Sequence, residues 1–130
     1  PMAHGCEEGA VIRATVGLQD PVDQLTRLEF GGGQIWMPRV ELAVGATVRL
    51  RILSRDVTLV LQPSADSSIL SSFPVRVLDI AEGGPAEVIV RLLAGQETLL
   101  TRVSKRSRRL LALQAGRQLY AQVRSVAALA

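Results

Sequence analysis

The segment "VSKRS" (103–107) gathers the groups in this chain best suited to hold a ligand. Ser104 is a natural helix N-cap, and Ser107 falls within the same first turn. A helix start adds free backbone N–H groups to those two hydroxyls, and such donors suit an anion. The run "KRSRR" (105–109) surrounds them with cations, and it reads equally well as a solvated helix face. Farther on, Arg124 and Ser125 set a cation beside a hydroxyl. Catalytic groupings are scarce by comparison. Cys6 is the only cysteine and His4 the only histidine. That excludes an internal disulfide and a Cys/His zinc site within one chain, and it argues against Cys–His or Ser–His catalysis. No G-x-x-x-x-G-K-[ST] phosphate loop and no paired carboxylates occur, so the residues point away from an enzyme.

The elements that must position these groups are strands. Short runs alternate apolar and polar residues and are broken by Gly, Pro and Asp. "AVIRATVGL" reads as a strand. "LTRLEF" and "QIWMPRV" form a hairpin around "GGG", with Pro38 placing its second arm at an edge or bulge. "ATVRLRIL" and "DVTLVLQ" are strands separated by a turn at Ser54-Arg55-Asp56. "PSADSSILSS" has linker character. The pattern then restarts with "FPVRVLDI", "EVIVRLL" and "TLLTRV", passes through a short helix near 104–112, and closes with "RQLYAQVRSVAAL". Leu110, Leu111 and Leu113 are expected to turn that helix toward a core.

The restart is a repeat. One offset lays Arg13 on Arg76, Leu25 on Val88, Phe30 on Leu93 and Arg39 on Arg102. A longer offset lays Gly45 on Gly116 and Ser54 on Ser125, the helix being the insertion between them. The expected organisation is a tag or linker over 1–8, a first repeat over 9–64 and a second over 65–130. Each repeat is a five-strand unit too small to bury much alone. The fold class is therefore all-β: two small barrels of the oligonucleotide/oligosaccharide-binding kind that share strands or dimerise.

Composition agrees. The chain has 130 residues, 48% of them hydrophobic, with 15 Lys+Arg against 12 Asp+Glu. The net charge of +3 is modest, and Phe30, Trp36, Phe73 and Tyr120 are the only aromatic side chains for stacking on bases. A nucleic-acid-binding module is therefore the weaker alternative. No apolar run reaches the ~18 residues of a membrane span.

Three segments resemble a known family: "SRDVTLVLQPSADSSI" (54–69), "VRVLDI" (75–80) and "LYAQVRSVAAL" (119–129). They are similar to the molybdate-binding Mop domains, of TOBE type, in the C-terminal accessory region of the ATP-binding subunit of molybdate ABC transporters. The likeness covers nearly the whole chain from about residue 9. It implies molybdate or tungstate as ligand and a homo-oligomer, expected to be a dimer. It also implies transporter ATPase and membrane subunits as partners through a parent chain, and a cytoplasmic location at the membrane periphery.

The resemblance also implies a site. Its I-T-x-x-S contacts fall on Ser104 and Ser107. Its closing-strand cation and small residue fall on Arg124 and Ser125. Its S-x-R-N segment reads Ser68-Ile69-Leu70-Ser71 here, so Ser68 stays while a cation and an amide are lost. In the first repeat Glu41, Val44 and Leu53 stand where the second has Ser104, Ser107 and Arg124. A carboxylate repels a dianion, so the first repeat is expected to be structural. A version without ligand, serving only to dimerise the ATPase subunits, is the alternative within the same class.

Overall fold

The computed structural model describes residues 8–129; His4 and Cys6 lie outside the described residues. Ten strands build two five-stranded antiparallel sheets. The first half supplies β1 (Gly9–Asp20), β2 (Leu25–Phe30), β3 (Gly33–Pro38), β4 (Thr47–Leu53) and β5 (Val57–Val60). The second supplies β6 (Ser71–Glu82), β7 (Glu87–Ala94), β8 (Glu97–Ser104), the helix α1 (Lys105–Leu110), β9 (Gln118–Val123) and β10 (Ala127–Leu129). The first sheet runs β10-β4-β1-β2-β3 and the second β5-β9-β6-β7-β8.

The two halves share strands, one of the two outcomes expected of units too small to bury much alone, and the manner is now explicit. The last strand of each half crosses to the other sheet. β5 pairs with β9, with Val57 opposite Val123. β10 pairs with β4, with Ala127 opposite Arg51. Alternation turns Ile12, Ala14 and Val16 of β1 and Phe73, Val75 and Val77 of β6 inward. Both inner faces merge into one hydrophobic cluster, so neither half owns a separate core. Pro38 ends the edge strand β3, where its missing N–H breaks no ladder.

The hydrogen bonds refine the repeat. Gly45 N–H donates to Val16 O and Gly116 N–H to Val77 O, each at 2.8 Å. Both glycines sit at positive φ, 94° and 92°. The equivalence of Gly45 and Gly116 holds. That of the first strands shifts, because Val16, not Ala14, matches Val77. The hairpins shift too: Leu28 pairs with Val16 and Leu92 with Val77, so Leu28 matches Leu92.

The helix lies where the N-cap signal placed it, capped by Ser104, but it buries none of its residues. Leu110 is 75% exposed, against the expectation of a core-facing side chain. The helix is too short to present a continuous stripe. The chain instead reverses at Ala112, with φ 53°, and sends Leu113 into the core.

Gly45→Ala and Gly116→Ala should each lower stability by about 1 kcal/mol through left-handed strain alone. The reason is that an added Cβ meets nothing within 4 Å at either site. Urea unfolding should give losses equal to within a few tenths of a kcal/mol. A loss at only one of them would refute the equivalence of the two turns.

Candidate anion-binding site

β8 leads directly into α1, and Ser104 is the junction. Its backbone stays extended (φ −67°, ψ 154°) while its side chain turns back to cap the helix. Ser107 N–H donates to Ser104 Oγ at 3.0 Å, and Ser104 Oγ–H donates to Ser107 Oγ at 3.0 Å. Lys105 N–H is already taken by Ala86 O at 2.9 Å. The helix start therefore offers hydroxyls more than free amides.

Ser104 and Ser107 line a groove of about 240 Å³ together with Thr58, Leu59, Arg102 and Leu111. Thr58 and Leu59 belong to β5, so the strand borrowed from the first half forms one wall. Arg102 precedes Ser104 by two positions on β8, and alternation puts both on one face. Its cation is not free. Arg102 Nε donates to Glu8 Oε1 at 2.7 Å, and Nη1 donates to Gly83 O at 2.5 Å and lies 3.5 Å from Glu87 Oε1. The hydrogen bond from Arg102 holds the Glu8 carboxyl below its ordinary value of 4.5, against burial and with help from the Ser54 hydroxyl.

The other sequence-predicted residues lie apart from this groove within the chain. Arg124 and Ser125 are exposed in the connection between β9 and β10, and Arg124 N–H donates to Asp56 O at 2.8 Å. Among the described residues no ion pair reaches the Arg124 side chain. Ser68 is exposed in the linker. Ser71 is 2% exposed, and its Oγ accepts from Trp36 N–H at 2.8 Å. That hydroxyl ties β6 to β3 across the two sheets. In the first half, residues 39–46 form no helix, and Glu41 is an exposed side chain 3.8 Å from Arg39. Sequence reasoning missed Thr58, Arg102 and Glu8. Alternation from Ser104 could have found Arg102, but nothing local marks the other two.

The Glu8 carboxylate contributes stability that is fully present above its ordinary value and lost as pH falls through its lowered folded value. Thermal melts from neutral pH into the acid range should show Glu8→Gln less stable than the parent near neutrality, with the gap narrowing as pH falls below the ordinary carboxylate value. A constant gap across that range would remove the Arg102 pairing as the cause.

Comparison with known proteins gives a consistent likeness. Residues 67–129 match the model of the TOBE domain family. The chain is 42% identical over 129 residues to the molybdenum import ATP-binding protein ModC of Albidiferax ferrireducens, covering 99% of this chain and 35% of that protein. For the ModC protein of Pseudomonas aeruginosa the identity is 41% over 133 residues, covering 100% of this chain and 37% of that protein. The chain thus spans little more than a third of the length of these relatives. Among solved structures, the cytoplasmic molybdate-binding protein ModG, crystallised with molybdate bound, superposes with a TM-score of 0.74 over 91% of this chain and 93% of that one. At 22% identity that likeness speaks to the fold.

Proposed function

We propose, from the match of residues 67–129 to the TOBE domain model, that this chain is the oxyanion-binding accessory module of a molybdate importer. The observation that carries the reading is the hydroxyl pair Ser104–Ser107, fixed by the helix cap in a groove walled by the exchanged strand. Molybdate and tungstate are tetrahedral dianions that need several O–H and N–H donors and at least one uncommitted cation. Arg102 is committed to Glu8 and Glu87; in this reading Arg124, the residue that follows β9, supplies the cation with its neighbour Ser125, and Ser68 of the linker adds a hydroxyl. Arg124 does not line the groove of its own chain, and in this reading a second copy brings it there. Ser71 positions β6 and does not touch the ligand.

A dimer is part of the proposal. The outer face of the second sheet holds a groove of about 490 Å³ lined by Leu61, Pro74, Leu93 and Tyr120 together with Arg76 and Gln118, with Leu61 49% exposed. A groove of such mixed character suits the same face of a second copy, since dimer interfaces pair apolar with polar contacts. Oxyanion bound between copies would favour one arrangement of the dimer. By differential affinity it would bias a transporter ATPase and its membrane subunits, joined through a longer chain on the cytoplasmic side. The alternative in which the module only dimerises keeps this face and drops the ligand. Nucleic-acid binding is disfavoured by the aromatics: Phe73 is buried, Phe30 packs edge-on against it at 5.1 Å, and Arg27 lies over Trp36. No helix among the described residues is long and apolar enough to cross a membrane.

Calorimetric titration should show molybdate and tungstate binding with sulfate weaker, and Arg124→Ala should weaken molybdate by about tenfold to a hundredfold, the worth of one charge-assisted contact. No heat with any oxyanion would leave only the dimerising version standing. Light scattering at high micromolar concentration should report a dimer. A monomer there, with molybdate present, would overturn assembly through the second sheet.

A further inference from the structure

The Glu8 carboxylate sits in a socket built from both halves of the chain. Ser54 Oγ–H donates to Glu8 Oε1 at 3.0 Å, and Arg102 Nε–H donates to the same oxygen at 2.7 Å. Ser54 follows β4 of the first half and is 2% exposed, while Arg102 is on β8 of the second. Both donors stand on framework elements, whereas the acceptor stands just ahead of β1. Two converging donors, one of them cationic, around one anionic oxygen are what a free oxyanion would require.

We propose that the Ser54–Arg102 pair is a second oxyanion site, which shares Arg102 with the Ser104–Ser107 groove but uses the Ser54 hydroxyl in place of that pair, and whose resident anion is the chain's own Glu8. A tetrahedral oxyanion competes for the same two donors and, on binding, displaces the Glu8 side chain. The tethered carboxylate acts as a competitor at an effective concentration on the order of millimolar, which excludes weakly held anions. A dianion gains more from Arg102 than a single carboxylate does, so it is the class of ligand able to win. Glu87, at 3.5 Å from Arg102 Nη1, remains in place and limits the incoming anion to Nε and the Ser54 hydroxyl. Ser54 N–H also donates to Glu8 O at 2.9 Å, so the Glu8 backbone stays anchored while its side chain gives way. The first half, without a Ser104–Ser107 equivalent, still contributes to anion binding by this different construction.

The test is calorimetric titration of the intact chain, Glu8→Ala, and Glu8→Ala with Arg102→Gln, using molybdate and sulfate. Glu8→Ala should gain an additional binding event, about tenfold or more tighter than any the parent shows at this site. The double variant should lose it, and adding either Ser107→Ala or Arg124→Ala to Glu8→Ala should leave it in place; loss with Ser107→Ala would assign the gain to the Ser104–Ser107 groove and overturn the proposal. In the parent, the Arg102 Nε–H resonance should move only at millimolar molybdate. Identical titrations of parent and Glu8→Ala would overturn the proposal while leaving the Ser104–Ser107 reading intact. A gain in Glu8→Ala with no binding by the parent would uphold it and count against that other reading. If Glu8→Ala melts too low to titrate, Glu8→Gln keeps an acceptor for Ser54 and should show a smaller gain of the same sign. No gain there would overturn the proposal equally.

Discussion

The crossing of β5 and β10 is the constraint on which the rest of this structure depends. Each sheet has four strands of its own and one from the other half. The crossing is sealed inside the core: Thr101 Oγ1, fully buried, donates to Val57 O at 2.6 Å. A buried carbonyl at the start of the borrowed strand is thus satisfied by the half that borrows it, where an unpaired one would cost roughly 1–3 kcal/mol. Four-strand halves standing alone would expose an open edge and half a core. The crossing covers the β4 and β9 edges and completes the core, and it also determines which residues meet. Thr58 reaches the groove of Ser104 and Ser107 only because β5 lies in the second sheet.

The inner and outer faces of the two sheets have diverged to different degrees. Inward, Ile12, Ala14, Val16, Val48 and Leu50 answer to Phe73, Val75, Val77, Leu119 and Ala121, all apolar and all buried. Outward, the first sheet sets Arg13 directly opposite Arg49, with Arg51 one row along. The second sheet has Pro74 opposite Tyr120 in the corresponding row. Like charges facing across a ladder cost up to ~1 kcal/mol, so the packing of the core did not ask for them. The shared core restricts volume and apolarity inward and leaves the outward residues free to differ. One half therefore sets arginines opposite each other on its outer face, and the other presents a groove in which Leu61, Pro74 and Tyr120 mix with Arg76 and Gln118.

Cations are divided between two duties in the region around α1. Arg102 is drawn to Glu8 and Glu87, and Lys105 to Glu82 at 3.2 Å. Arg106, Arg108 and Arg109 of α1, like Arg124, form no ion pair among the described residues. A site for a dianion needs cations that local carboxylates have not neutralised. Under the proposed function, the commitment of Arg102 leaves that charge to Arg124 of a second copy.

Period-2 alternation determined the strands, because an apolar residue at every second position has only one way to be buried on a pleated sheet. Ser104 determined the helix start, since its side chain can satisfy the Ser107 amide wherever the helix goes. Gly45 and Gly116 marked equivalent turns, because their backbone conformations exclude most other residues. The same periodicity could not determine the offset of the first strands, as a slip of two residues leaves every side chain on its proper face. It was equally silent on which sheet β5 and β10 join, since either inner face would bury Val57 and Leu59. Those choices, and the meeting of Glu8 with Arg102 from 94 positions away, rest on long-range packing. Only the tertiary structure decides them, because the energy that selects them comes from a core to which both halves contribute.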